Sequence, residues 1–136
     1  MLYSVLTDQL LLGEAYRNGA HSIAHEHLVV MFEDDGETGY FYAMDLHQPQ
    51  PVVDRLFVYS IHDIEQESRQ EPRRFQICWS EDGYKAFLLI NDYPHAVFDF
   101  REFVGYNHSK YPEPEFGSMW THKETTPQLV ESWLTK

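Results

Sequence analysis

The sequence predicts an α+β fold that is mainly antiparallel β-sheet, with a hairpin, a three-stranded meander and a C-terminal helix packed on the sheet. Three observations support this: two apolar runs flank an acidic, glycine-containing turn, three later segments alternate with a period of two, and one amphipathic stripe lies near the end. A chain of 136 residues with 43% hydrophobic content can bury one core. We therefore expect a single domain over residues 1–136.

The predicted hairpin consists of residues 28–32 and 40–44, which are rich in β-branched and aromatic side chains. Two glycines in the connection can take positive φ at little cost. Both runs are apolar on both faces, which predicts a sheet that is covered on both sides. Before the hairpin, residues 2–12 are expected to pair as a strand, whereas residues 14–24 are expected to form a short helix or a loop.

A proline-containing segment, residues 47–51, follows the hairpin and excludes both a helix and a central strand. Residues 52–61 predict a further strand, and the acidic stretch 62–71 predicts a connecting loop or a short helix. Residues 74–100 alternate between apolar and polar side chains in three segments separated by short turns. This pattern indicates a three-stranded meander.

The predicted helix begins at Thr126, a natural N-cap, with Pro127 at the first helical position. Before it, residues 105–117 hold several tyrosines and prolines and are expected to form an irregular loop. The apolar stripe that should pack on the sheet consists of Leu129, Val130, Trp133 and Leu134.

The charge of the chain is strongly negative, with 22 acidic and 10 basic side chains and a formal net charge of −12. Twelve of the acids but only three of the bases lie in residues 1–70. Because phosphate backbones and anionic lipids are bound through Lys and Arg, this balance argues against a nucleic-acid or membrane-surface partner. It favours a basic protein partner that is guided by charge, and the alternative is that the acidity simply keeps the protein soluble and monodisperse.

The expected compartment is the cytoplasm. No apolar stretch approaches the roughly 20 residues that cross a bilayer. The first residues lack the basic and then apolar pattern of a secretory signal. The single cysteine, Cys78, cannot form an internal disulfide, which agrees with a reducing compartment.

Three histidines close together, His21, His25 and His27, are the candidate metal ligands. His21 and His25 would share a face of a helix, whereas His25 and His27 would share a face of a strand. Imidazole binds divalent transition metals, but a site requires a third ligand from elsewhere in the fold. The alternative is that these histidines are simply exposed.

A candidate recognition surface follows from aromatic residues in and after the meander, since exposed Tyr and Trp in loops are typical of binding surfaces. The alternative is that these side chains cover the open end of the core. The expected binding residues are Tyr93, His95, Tyr106, His108, Tyr111 and Trp120.

The sequence lacks the common catalytic motifs: a Gly-x-Ser-x-Gly elbow, a glycine-rich phosphate loop and a dinucleotide fingerprint. Cys78 lies in the middle of a predicted strand and is expected to be a packed, unreactive thiol. The acidic turn at residues 33–37 lacks the ligand spacing of an EF-hand. These absences argue against an enzyme.

Two segments resemble a small family of bacterial single-domain proteins of unknown function: residues 33–43, EDDGETGYFYA, and residues 78–100, which run from CWS to NDYPHAVFDF. The resemblance implies a bacterial, cytoplasmic, stand-alone domain and assigns no catalytic residue. The first functional hypothesis is a non-catalytic module that binds a basic protein, as toxin-neutralising immunity proteins do. The alternatives are a metal-dependent enzyme that uses the histidine cluster, and a homodimer formed through the sheet.

Overall fold

The computed structural model describes residues 2–135 and is mostly β-sheet. The strands are β1 (Leu2–Leu10), β2 (Tyr16–His21), β3 (Leu28–Asp34), β4 (Thr38–Asp45), β5 (Val52–Ser60), β6 (Arg73–Ser80), β7 (Lys85–Ile90), β8 (Tyr93–Asp99), β9 (Val104–Asn107) and β10 (Thr121–Glu124). The helices are α1 (Gln66–Arg69) and α2 (Pro127–Leu134), and a 3-10 turn covers Ile61–Asp63. No helix among the described residues is long and apolar enough to cross a membrane.

The strands form two sheets, one of six strands in the order β1-β6-β7-β8-β9-β10 and one of four strands in the order β2-β3-β4-β5. The predicted hairpin and meander are both present as antiparallel pairs. However, β10 pairs with β9 in parallel, so the larger sheet is mixed. The predicted fold is therefore confirmed as mostly β-sheet with a C-terminal helix, but the larger sheet is not purely antiparallel.

The main core lies between the two sheets. Phe41 of β4 stacks on Phe98 of β8 with ring centroids 5.1 Å apart, and Phe32 of β3 lies 5.3 Å from Phe75 of β6. All four side chains are fully buried. Face-to-face packing of this kind makes the sheets a sandwich, because each sheet buries its apolar face against the other.

A smaller cluster lies on the opposite face of the six-stranded sheet, where α2 packs. Trp133 contacts Phe87 edge-on at 5.6 Å, and the N-cap is confirmed because Thr126 Oγ1 accepts from the Leu129 amide at 3.2 Å. Leu134, predicted to pack with Trp133, is instead 44% exposed. The buried members of this cluster are Cys78, Phe87, Leu89 and Val97.

Three further predictions from the sequence were wrong. Residues 14–24 contain the strand β2, not a helix or a loop alone. The segment expected to be irregular begins with β9, which pairs with β8 and β10. The hairpin is covered on one face only, since Tyr40 and Tyr42 on its other face remain half-buried.

Two buried polar side chains secure the connections between strands. Asp34, 1% exposed, accepts hydrogen bonds from the amides of Gly13 and Gly36 at 2.8 Å and from the Tyr59 hydroxyl at 2.5 Å. Asn107, fully buried, donates to two backbone carbonyls. Both residues satisfy backbone groups of other chain segments, so we assign them a structural role.

Candidate functional site

A cavity of about 530 Å³ opens at one end of the sandwich, and we call it the aromatic pocket. It lies between the start of β3, the β4–β5 connection and the loop that precedes β10. Its apolar lining consists mainly of Tyr84, Phe100, Phe103, Phe116, Met119 and Trp120. Concave, largely apolar sites of this size are typical of ligand and side-chain binding.

The inner wall of the aromatic pocket is formed by closely packed aromatic rings. Trp120, 6% exposed, meets Phe100 and Phe103 edge-on with centroids 5.4 and 5.7 Å apart. Phe103 has a φ of 58°, a region that bulky side chains rarely adopt, and its carbonyl accepts from the Thr121 amide at 3.0 Å. The hydrogen bond from β10 therefore stabilises the strained backbone of Phe103, which lies at the edge of the cavity.

The outer rim of the aromatic pocket carries two exposed apolar side chains. Phe116 is fully exposed and Met119 is 70% exposed, and both belong to the loop before β10. The carboxylates of Asp45 and Glu115 line the same opening. Exposed apolar side chains beside acidic groups suit a partner that presents both an apolar and a basic group.

A group of potential metal ligands adjoins this rim. His27, Asp45 and His47 each offer one ligand atom within 4.8 Å of the other two. The rings of His27 and His47 are stacked, with centroids 4.1 Å apart and planes at 2°. We call these three residues the histidine–aspartate cluster.

Only one of the three predicted metal ligands belongs to this cluster. His21 Nδ1 lies 2.8 Å from the carbonyl oxygen of Glu26. His25 Nε2 lies 3.0 Å from the carbonyl oxygen of Asp82, and its ring packs on Tyr84 at 4.1 Å. The structure therefore brings His27 together with Asp45 and His47, which the sequence reasoning did not select.

The predicted binding residues are divided among several places. Three of them line a second cavity of about 330 Å³: Tyr93, His95 and His108. Burial lowers the pKa of His95, which keeps this imidazole neutral at neutral pH. The other three lie apart: Tyr111 is 56% exposed, Tyr106 packs on Trp133 at 5.3 Å, and Trp120 is in the wall of the aromatic pocket.

A buried pair of a histidine and a carboxylate joins the two sheets of the sandwich. His122 of β10 and Asp54 of β5 have side chains only 2% and 4% exposed. Burial lowers the pKa of His122, but the hydrogen bond and charge of Asp54 outweigh this effect and place the pKa above its ordinary 6.5. Burial raises the pKa of Asp54. Neither member of the pair was singled out from the sequence.

Comparison with known proteins agrees with the resemblance seen in the sequence. Residues 10–134 match the family described as uncharacterised protein conserved in bacteria, DUF2251. An uncharacterised protein of Haemophilus influenzae is 54% identical over 135 residues, which cover 98% of this chain and 83% of that protein. No solved structure matches the chain.

Proposed function

Because the chain belongs to DUF2251, a family of uncharacterised bacterial proteins, we propose its function from the geometry: it is a non-catalytic module that binds a basic protein segment in the aromatic pocket. The observation that carries this proposal is the exposed Phe116 beside a preformed aromatic cavity. The segment we expect has one apolar side chain that enters the cavity and a Lys or Arg next to it.

The apolar part of the proposal rests on packing. Trp120 and Phe103 are held by their neighbours, so the inner wall needs little reorganisation when a side chain enters. Phe116 and Met119 would be covered by the bound segment, and removing such apolar surface from water favours association. A few buried aromatic contacts of this kind commonly dominate binding energy.

The basic part rests on charge. Asp45 and Glu115 lie at the opening, and the whole chain has a net charge of −12. This field would guide a positively charged segment toward the rim and speed its association. Binding should weaken as salt is added, since exposed charges are screened over roughly 8–10 Å near physiological ionic strength.

The test uses defined peptides rather than an unknown partner. Short fluorescent peptides with one Trp, Phe or Leu flanked by lysines are compared with matched peptides that have alanine at the anchor or glutamates in place of the lysines. We expect saturable binding only of the anchored basic peptides, weaker at high salt. Phe116→Ser should weaken this binding by about tenfold, the effect of losing about 1.4 kcal/mol.

The matched control is Tyr93→Ser, because Tyr93 is 48% exposed and lines the second cavity instead. It should leave the affinity of the anchored basic peptides unchanged. Equal binding of the anchorless peptides, or equal loss in both variants, would contradict the aromatic pocket as the site. Loss in Tyr93→Ser alone would move recognition to the second cavity.

The remaining parts of the proposal concern the protein as a whole. We infer a single domain, supported by the continuous core between the two sheets, and a cytoplasmic location, supported by the unpaired and buried Cys78. Homodimerisation through a sheet face stays a prediction. Sedimentation of the wild-type chain would decide it, with a concentration-independent monomer as the opposing result.

A further inference from the structure

Two imidazoles and one carboxylate converge at the rim of the aromatic pocket. We propose that the histidine–aspartate cluster, His27, Asp45 and His47, binds one divalent transition-metal ion of the Zn²⁺ class. The three ligand atoms already lie within 4.8 Å of one another. Around a tetrahedral Zn²⁺ with ligands near 2.0–2.2 Å, neighbouring ligand atoms are about 3.3 Å apart, so small side-chain movements would close the site.

The backbone holds the cluster in place. Asp45 is the last residue of β4 and pairs with Leu28 of β3, so His27 comes directly before this pair. The Leu46 amide donates to the carbonyl of His27 at 2.8 Å and extends the pairing by one step. The spacing of His27 and Asp45 therefore depends on the register of a hairpin, and His47 follows at the start of the β4–β5 connection.

The ligand atoms of the cluster are available. Within residues 2–135, the ring nitrogens of His27 and His47 have no hydrogen-bond partner, whereas one ring nitrogen of His21, one of His25 and both of His122 do. The Asp45 carboxylate accepts from the His47 amide through Oδ1 at 2.9 Å, which orients it beside the stacked rings. Oδ2 remains available for a metal ion.

The stacking of the His27 and His47 rings must change when a metal ion binds. Their planes are almost parallel, so their lone pairs run side by side and do not yet meet at one point. His47 is exposed and can rotate, whereas His27 is half-buried against the pocket. Metal binding should therefore splay the two rings, and three protein ligands would leave a fourth position for water or a donor group from the pocket.

The test uses Zn²⁺ and Co²⁺ alone, with untagged full-length protein, and so does not depend on the proposed peptide partner. We expect calorimetry to give one Zn²⁺ per chain, and Co²⁺ to give visible d–d bands that Zn²⁺ removes. His27→Ala, Asp45→Asn and His47→Ala should each weaken Zn²⁺ binding by at least about tenfold, since even indirect changes near a metal cost that much.

The controls separate this cluster from the other histidines. His62→Ala removes an exposed histidine elsewhere and should leave Zn²⁺ affinity unchanged. His21→Ala and His25→Ala test the cluster that the sequence suggested, and they too should have no effect. Absence of saturable Zn²⁺ binding by the wild type would overturn the proposal, and so would equal weakening by His47→Ala and His62→Ala. Failure of the peptide test leaves these outcomes unaffected.

Discussion

His122 Nε2 lies 2.9 and 2.8 Å from the two carboxylate oxygens of Asp54, and this contact joins the last strand of one sheet to the other sheet. The second ring nitrogen, Nδ1, lies 3.1 Å from the carbonyl oxygen of Lys110. Both nitrogens of His122 thus face acceptors, an arrangement that favours the doubly protonated imidazolium and agrees with the raised pKa of His122. In that form, Asp54 supplies the counter-charge of a buried histidine.

Removing one member of this pair should be costly. We expect Asp54→Asn to lower the free energy of unfolding by about 3 kcal/mol, because it leaves a buried imidazolium without its counter-charge. Urea denaturation measures this change. The double variant Asp54→Asn/His122→Gln should be less destabilised than the sum of the single variants, since neutral amides remain. Strict additivity would show that the two side chains do not interact.

The same pair predicts how stability depends on pH. The pKa of His122 is raised in the folded protein above 6.5, so the folded state binds this proton more tightly than the unfolded state. Its stabilisation is complete below about pH 6.5 and is lost as pH rises through the folded pKa. Urea unfolding across this range should show a steeper decline in the wild type than in His122→Gln. Parallel slopes would refute a raised pKa.

Asn107 should be a second sensitive position. Its amide donates to the carbonyls of Phe57 and Tyr111 at 2.8 and 2.9 Å, and its oxygen accepts from the Lys110 amide at 2.6 Å. Asn107→Ala leaves the Phe57 carbonyl and the Lys110 amide without this partner, whereas the Tyr111 carbonyl still accepts from the Phe57 amide at 3.0 Å. We expect a loss of about 2 kcal/mol in unfolding free energy. Thermal unfolding gives the readout. As a control, Asn18→Ala removes a half-buried amide that bonds only locally and should cost much less.

The docking of α2 can be tested with two neighbouring residues. Trp133 contacts Phe87 and Tyr106, whereas Leu134 is 44% exposed. Trp133→Ala should destabilise the protein by about 2 kcal/mol, which is less than the cost of removing a fully buried Trp because Trp133 is only half-buried. Leu134→Ala should cost about 0.5 kcal/mol or less. Chemical denaturation of both variants measures the difference. Equal effects would mean that the helix does not pack through Trp133.

The parts of the fold that could be predicted are those with local patterns. The hairpin and the meander have apolar segments next to their turns, and the N-cap Thr126 precedes a proline. Strand β2 was missed because its sequence, YRNGAH, has no apolar alternation and its pairing with β3 is what makes it a strand. Strands β9 and β10 have four residues each, and their parallel pairing depends on distant chain segments.

Only part of the candidate site could be predicted from the sequence. Extending the predicted hairpin by one pair in register would have placed His27 beside Asp45 and His47, so a usable signal was present. The sequence contains less information about the aromatic pocket, because the contact between Trp120 and Phe103 depends on the pairing of β10 with the sheet. Asp54 and His122 are 68 residues apart, and no local pattern connects them.

Because Cys78 is buried, the reactivity of its thiol can show when α2 moves away from the sheet. This single thiol lies beneath the face that Trp133 helps to cover, and burial raises its pKa, so it should resist alkylation while that face stays closed. The rate of labelling by a thiol reagent then measures how often α2 lifts from the sheet. Comparing that rate with global unfolding would show whether the helix detaches on its own or only when the whole sandwich opens.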